Sequence, residues 1–182
     1  MSSRRSAILA GAGLLGACGF RPVYAPDGTR TAGAQPEPAL AAELAAVRVA
    51  PIGERIGQLL RRGLQRRLED SRPGTPARYE LQSSILYNAE VLGYRSDGAI
   101  TRIRYIVTAN WVLLTEAVPP EVVDRGTIRT IDAFNIPDLQ FLAADASRDA
   151  TDRRIVEEVT DRIVLGVAVA LRRRLARPTP AA

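Results

Sequence analysis

The sequence predicts an α+β fold in which two helices pack on one face of a four-stranded, mainly antiparallel sheet, in the order β-α-β-β-β-α. Three observations support this prediction. Three long runs between residues 79 and 134 alternate apolar and polar residues, as half-buried strands do. Two other segments, 54–70 and 139–177, repeat apolar residues every three or four positions, as amphipathic helices do. A short alternating run, 46–51, precedes the first helix and predicts the first strand.

The first predicted helix carries a stripe of isoleucine and leucine, and its arginines fall mostly outside that stripe, on a solvated face. Pro73 and Gly74 lie just beyond its end. The second helix begins among aspartates and ends among arginines, which complements the helix dipole. Its apolar stripe consists of Ile155, Val156, Val159, Ile163, Val164, Val167, Leu171 and Leu175.

Short turns connect the three long strands. The segments 96–98 (Ser-Asp-Gly) and 118–120 (Val-Pro-Pro) are turn signals, so consecutive strands should pair as an antiparallel meander. Tyr105 and Trp111 share the apolar phase of the middle strand, which predicts that both belong to the core.

The N-terminus has the pattern of a bacterial lipoprotein signal. A short positive segment precedes an uncharged apolar run, 7–17, which is too short to span a membrane and has the length of a signal-peptide core. The run ends in Leu15-Gly16-Ala17-Cys18, which matches the lipobox: small residues fit the peptidase subsite and the thiol receives the lipid. Cys18 is therefore the predicted lipid-attachment residue, carrying palmitate or similar acyl chains.

This signal predicts the domain organisation. Residues 1–17 are a signal peptide, 18–45 a lipidated N-terminus and flexible tether, 46–177 the folded domain, and 178–182 a disordered tail. Gly19, in place of Asp, favours release to the outer membrane. Arg4-Arg5 leaves twin-arginine export open, but the residues after the pair favour ordinary Sec export.

The composition argues against most enzyme classes. The chain contains no His and one Cys, which excludes His-based nucleophile pairs, His-ligated zinc and intramolecular disulfides. Carboxylate pairs such as Glu157-Glu158 lie on a helix face instead of converging on a cleft. The net charge of +5 is carried by arginine alone and does not indicate nucleic-acid binding in an exported chain. We expect a protein without catalytic residues, metal or cofactor.

The start of the mature chain resembles one particular family. The residues Cys18-Gly19-Phe20-Arg21-Pro22-Val23-Tyr24 are similar to the start of LPS-assembly lipoproteins of the LptE family in its alphaproteobacterial form. The pattern of the C-terminal helix is also similar. The resemblance implies an outer-membrane lipoprotein that sits within the lumen of the β-barrel LPS translocon LptD, faces the periplasm, plugs the barrel and helps it to assemble. It also implies contact with lipopolysaccharide (LPS) during its transport to the outer leaflet.

Several arginines are candidates for contact with LPS, because guanidinium groups suit phosphates and carboxylates. The candidates are Arg95, Arg102, Arg104 and Arg129, with Arg125 as a further member of the same basic set. The opposing interpretation is a solvated strand face that discourages edge pairing. Two alternative functions stay open: an auxiliary lipoprotein of an envelope phospholipid-transport (ABC) system, and a lipid-anchored peptidoglycan hydrolase.

Overall fold

The computed structural model describes residues 38–138 and 140–177, so the predicted signal peptide, lipobox, Cys18 and C-terminal tail lie outside the described residues. The described residues from Leu40 onward form one compact unit. The elements, in chain order, are α1 Pro38–Ala45, β1 Val47–Val49, α2 Glu54–Arg67, a 3₁₀ turn Glu69–Ser71, β2 Tyr79–Tyr94, β3 Ile100–Thr115, β4 Val122–Asn135 and α3 Phe141–Leu175. The α+β fold class is confirmed, with one short helix more than predicted.

The sheet follows the chain order β1-β2-β3-β4. β1 pairs parallel with β2, because α2 carries the chain back before β2 begins. The other two pairings are antiparallel, as the short turns predict, with Tyr79 opposite Thr115 and Trp111 opposite Gly126. This register fixes which side chains share a face of the sheet.

The helices cover one face of the sheet. The alternate residues Val107, Ala109 and Leu113 of β3 are completely buried on that face, together with Ile163 and Val167 of α3. The prediction that Trp111 is a core residue is confirmed, since its side chain is buried. Tyr105 is half-buried and its ring contacts those of Tyr87 and Phe134, with centroids 5.4 and 5.3 Å away.

The segment 38–45 differs from the prediction of a tether. It forms helix α1, and Leu40, Leu44 and Ala45 are buried in the domain. The buried Glu43 carboxylate forms an ion pair with the Arg78 guanidinium, at 2.7 Å. The segment is Ala-rich and only two turns long, so its helix depends on tertiary packing that a periodicity argument does not detect. The folded domain therefore begins before residue 46.

Other boundaries move by a few residues. α2 ends at Arg67, and the predicted last turn up to Asp70 becomes a 3₁₀ turn. α3 begins at Phe141 instead of 139 and ends at Leu175 instead of 177. Such shifts are ordinary at helix termini, where the terminal turn lacks part of its hydrogen bonding.

Candidate binding face on the open side of the sheet

The face of the sheet opposite the helices is not covered by any described element. Residues on this open face alternate with the buried ones, and cross-strand pairing places them in rows. The central rows are Glu90-Arg104-Ala133, Asn88-Ile106-Ile131, Leu86-Thr108-Arg129, Ser84-Asn110-Thr127 and Gln82-Val112-Arg125. Two long antiparallel pairings hold these side chains on a rigid surface, which suits a binding site.

Three of the four predicted candidate arginines lie on this face. Arg102 and Arg104 follow each other on β3, and Arg129 lies opposite Thr108 on β4. Strand geometry separates the Cα atoms of Arg102 and Arg129 by roughly 20 Å. The side chains of both residues are exposed, and neither forms an ion pair within the described residues. Arg125 lies on the same face, opposite Val112.

Two candidates are already neutralised by carboxylates. The Arg104 guanidinium donates to Glu90 Oε2 on the neighbouring strand, at 3.0 Å from Nε and 2.5 Å from its terminal nitrogen. Arg95 lies at the turn after β2, outside the cluster, and forms ion pairs with Asp97, at 2.8 Å, and with Asp138. Ion-paired guanidiniums have fewer donors left for a ligand, so Arg102 and Arg129 are the stronger pair.

An apolar belt, formed by Leu86, Ile106 and Ile131, crosses the middle of the open face. This belt was not predicted from the sequence. Leu86 is 70% exposed and Ile131 is 54% exposed, and Ile106 lies directly opposite Ile131. In each strand the buried apolar residues occupy every second position, and these three apolar residues fall on the other positions. That departure from the alternation is the sequence feature from which the belt could have been predicted. Large apolar side chains gathered on one exposed surface indicate an interaction site.

The combination of belt and arginines defines the chemistry of the face. Guanidinium groups bind phosphate or carboxylate oxygens through paired N–H donors. The belt offers apolar area between Arg102 and Arg129. Four arginines against the two glutamates Glu80 and Glu90 give the open face of β2–β4 a positive balance. A ligand with anionic groups and apolar segments, that is, an amphiphilic anion, matches this surface.

The covered face contains ionisable groups that serve no visible binding role. Burial raises the pKa of the Asp152 carboxyl above its usual range, although Arg148 and Arg55 oppose the shift. Burial also raises the pKa of the Tyr87 phenol, whose oxygen is buried without a hydrogen-bond partner in the described structure. These groups lie under the helices, away from the open face. Burial of the Asp152 carboxyl bears on the stability of the fold and not on binding.

A shallow groove separates α2 from α3 on the outer surface of the helices. Its volume is about 300 Å³, and its lining includes Leu59, Gly63, Arg66, Arg153 and Val156. None of the predicted candidate arginines lines it. Within residues 38–138 and 140–177, no cluster of three or more potential metal ligands occurs, and no helix is long and apolar enough to cross a membrane.

A family model described as lipopolysaccharide-assembly, LptE, matches residues 44–165. This match extends from the end of α1 into α3 and includes the whole sheet. The chain belongs to the LptE family. The resemblance found at Cys18–Tyr24 is thereby confirmed from a different part of the chain, and this LptE-family protein is an LPS-assembly lipoprotein. No curated protein sequence matches it significantly.

Solved structures of lipoproteins share the fold. A protein from Caulobacter crescentus described as a lipoprotein is 25% identical, with a TM-score of 0.58 over 71% of this chain and 93% of that chain. The rare lipoprotein B from Shewanella oneidensis is 12% identical, with a TM-score of 0.50 over 72% and 98%. Lipoprotein B from Nitrosomonas europaea is 16% identical, with a TM-score of 0.50 over 67% and 81%. The last two similarities concern the fold alone.

Proposed function

We propose that this protein is a non-enzymatic outer-membrane subunit of the LPS translocon. It is anchored by lipid on Cys18, plugs the β-barrel LptD, helps that barrel to assemble, and contacts LPS on its way to the outer leaflet. The family match over residues 44–165 is the observation that carries this proposal. The lipobox Leu15-Gly16-Ala17-Cys18 supports the anchor.

The open face supports the contact with LPS. LPS carries phosphates and acidic sugars beside acyl chains, and the face combines an apolar belt with guanidiniums that form no ion pair in the part of the chain that the structure describes. Arg102 and Arg129 are the proposed primary contacts, because no described carboxylate holds them. Arg104 and Arg95 are secondary candidates, since binding through them requires exchange of an existing ion pair.

Co-purification and depletion both test the translocon role. After mild detergent extraction, the tagged full chain should co-purify with a large outer-membrane barrel that mass spectrometry identifies as LptD. Depletion should lower the amount of folded LptD and the LPS at the cell surface. Recovery of an ABC-transporter complex instead of a barrel would support the phospholipid-transport alternative. Unchanged LptD and unchanged surface LPS after depletion would contradict the translocon proposal.

A matched pair of double variants tests the open face. Arg102→Ala with Arg129→Ala should weaken LPS binding by about tenfold, because two exposed charge-assisted contacts of roughly 0.7 kcal/mol each together contribute about 1.4 kcal/mol. Arg62→Ala with Arg66→Ala removes the same charge from exposed positions on α2. Binding should be measured with purified LPS and the detergent-extracted full chain. Equal effects of the two double variants would mean that net charge, and not the open face, determines binding.

A further inference from the structure

β4 is the last strand of the sheet and is 14 residues long, so its outer edge is a long one. No described strand pairs with that edge. A long free edge exposes a row of backbone N–H and C=O groups on which another chain can add a strand. Proteins that stay monomeric block such edges in some specific way.

Three backbone groups on the outer edge of β4 are already hydrogen-bonded to side chains. The Arg162 guanidinium of α3 donates to the Arg129 carbonyl, at 3.2 Å. The Arg125 amide donates to Oδ1 of Asp124, at 2.8 Å. The Ala133 amide donates to Oδ1 of Asp132, at 2.7 Å.

These blocked groups lie four residues apart, at 125, 129 and 133. Backbone groups in a strand alternate in direction with period two, so residues 127 and 131 point their N–H and C=O groups outward as well. The caps therefore interrupt the edge at three points. Among the described residues, Thr127 and Ile131 keep both outward groups, whereas Arg125 and Ala133 keep only the C=O and Arg129 keeps only the N–H. Every second outward residue has therefore lost one of the two groups that a regular strand pairing uses.

Ion pairs keep α3 beside the capped edge. Arg154 contacts the Asp132 carboxylate at 2.9 Å, and the Thr130 hydroxyl donates to Glu158 at 2.5 Å. Glu158 in turn holds Arg162, the cap of Arg129, at 2.6 Å. The residues at 154, 158 and 162 of α3 follow at intervals of four, so they form one row along the helix.

We infer that this edge clamp, defined as Asp124, Asp132, Arg154, Glu158 and Arg162, closes β4 against strand addition, and that the partner it excludes is the β4 of a second copy of this chain. Two identical edges can pair antiparallel about a two-fold axis, each contributing the same surface. Anchoring many copies in one membrane would raise the encounter rate of these edges. The inference does not depend on LptD or LPS.

Opening the clamp should produce dimers. Asp132→Ala with Arg162→Ala removes two of the three caps, and we expect self-association to tighten by about tenfold or more. The measurement is sedimentation equilibrium of the full chain in excess mild detergent. Arg62→Ala with Asp70→Ala is the matched control, since it removes the same two charges from exposed positions that form no ion pair within the described residues. This control should remain as monomeric as the wild type.

A third substitution tests whether the dimers form through the edge of β4. Thr127→Pro removes an outward N–H and blocks strand addition without loss of a backbone bond to β3. It also removes the hydrogen bond from the Thr127 hydroxyl to Asn110 of β3, so Thr127→Ala in the same background is the control for that loss. Added to the double variant, Thr127→Pro should restore the monomer, and circular dichroism should show the same secondary structure in all forms. A double variant that stays monomeric while folded would overturn the inference. So would dimers that persist after Thr127→Pro, because they must use another surface.

Discussion

Trp111 shows at the residue scale how the core limits substitution. Its ring lies against Gly126 of β4 and Gly166 of α3, and a Cβ added at Gly166 would lie 2.6 Å from Cζ2 of the indole. Alanine normally favours a helix over glycine by up to about 1 kcal/mol. The ring cannot retreat, because a Cβ-sized space is also missing at Gly126, 2.7 Å from Nε1. The glycines are needed for their small size, and not for turn geometry.

We therefore expect Gly166→Ala to destabilise the protein. Overpacking of a core costs about 1 to 3 kcal/mol, which exceeds the gain in helix propensity. Urea unfolding of the full chain measures the change in free energy. In a Trp111→Phe background, Gly166→Ala should lower the free energy of unfolding by less than it does in the wild type, because the smaller ring leaves room for the added methyl group. A more stable Gly166→Ala protein would show that the indole moves freely.

Asp152 makes stability depend on pH. Burial raises the pKa of its carboxyl on folding, so the folded state favours the protonated acid. Its stabilising contribution is complete below the ordinary pKa of Asp, about 4, and is lost as the pH rises through the higher folded value. Asn resembles the protonated acid.

Asp152→Asn should accordingly raise the melting temperature at pH 7, and the difference from the wild type should shrink as the pH falls toward about 4. Thermal unfolding across this range provides the measurement. Asp149→Asn is the comparison, because Asp149 is an exposed neighbour that also pairs with Arg55. If Asp152→Asn were less stable than the wild type at pH 7, the Arg55 contact at 3.8 Å would outweigh the cost of burial.

At the scale of elements, the strands and the two long helices were predictable, because each buries one face and so carries a clear period. Helix α1 was not predictable in this way. Its residues are nearly all small or apolar, and its state depends on burial in the domain and on contacts distant in sequence, such as the ion pair between Glu43 and Arg78. The same limit applies to the edge clamp, which joins α3 to β4 across 22 to 33 residues.

Leu40 tests whether α1 is part of the folded domain. Its side chain is 1% exposed, so Leu40→Ala should lower the free energy of unfolding by about 2 to 5 kcal/mol. Leu142→Ala is the matched control, because Leu142 is 86% exposed on α3 and should change stability by no more than about 0.5 kcal/mol. Chemical denaturation of both variants gives the comparison. Equal, small effects would restore the tether interpretation of residues 38–45.

At the scale of the whole molecule, Cys18 is the residue that we propose links the domain to its membrane. Cys18→Ala should abolish incorporation of labelled palmitate and leave a precursor that retains residues 1–17. The design is unambiguous because the chain contains a single cysteine. Metabolic labelling with membrane fractionation provides the measurement, with the wild-type chain as reference. A variant that is still labelled, or still processed to the mature mass, would show that residue 18 is not the lipid site.

Periodicity and a short motif are local properties of the chain, so the fold class, the strand order along the meander and the family resemblance could all be predicted from the residues alone. The sequence also selected the arginines. The tertiary structure was needed to show that Arg102 and Arg129 lie beside an apolar belt without an ion pair among the described residues, while Arg95 and Arg104 are held by carboxylates. Pairing across strands, burial of α1 and closure of the β4 edge depend on residues far apart in sequence. These three features result from packing in three dimensions, which a local sequence pattern cannot predict.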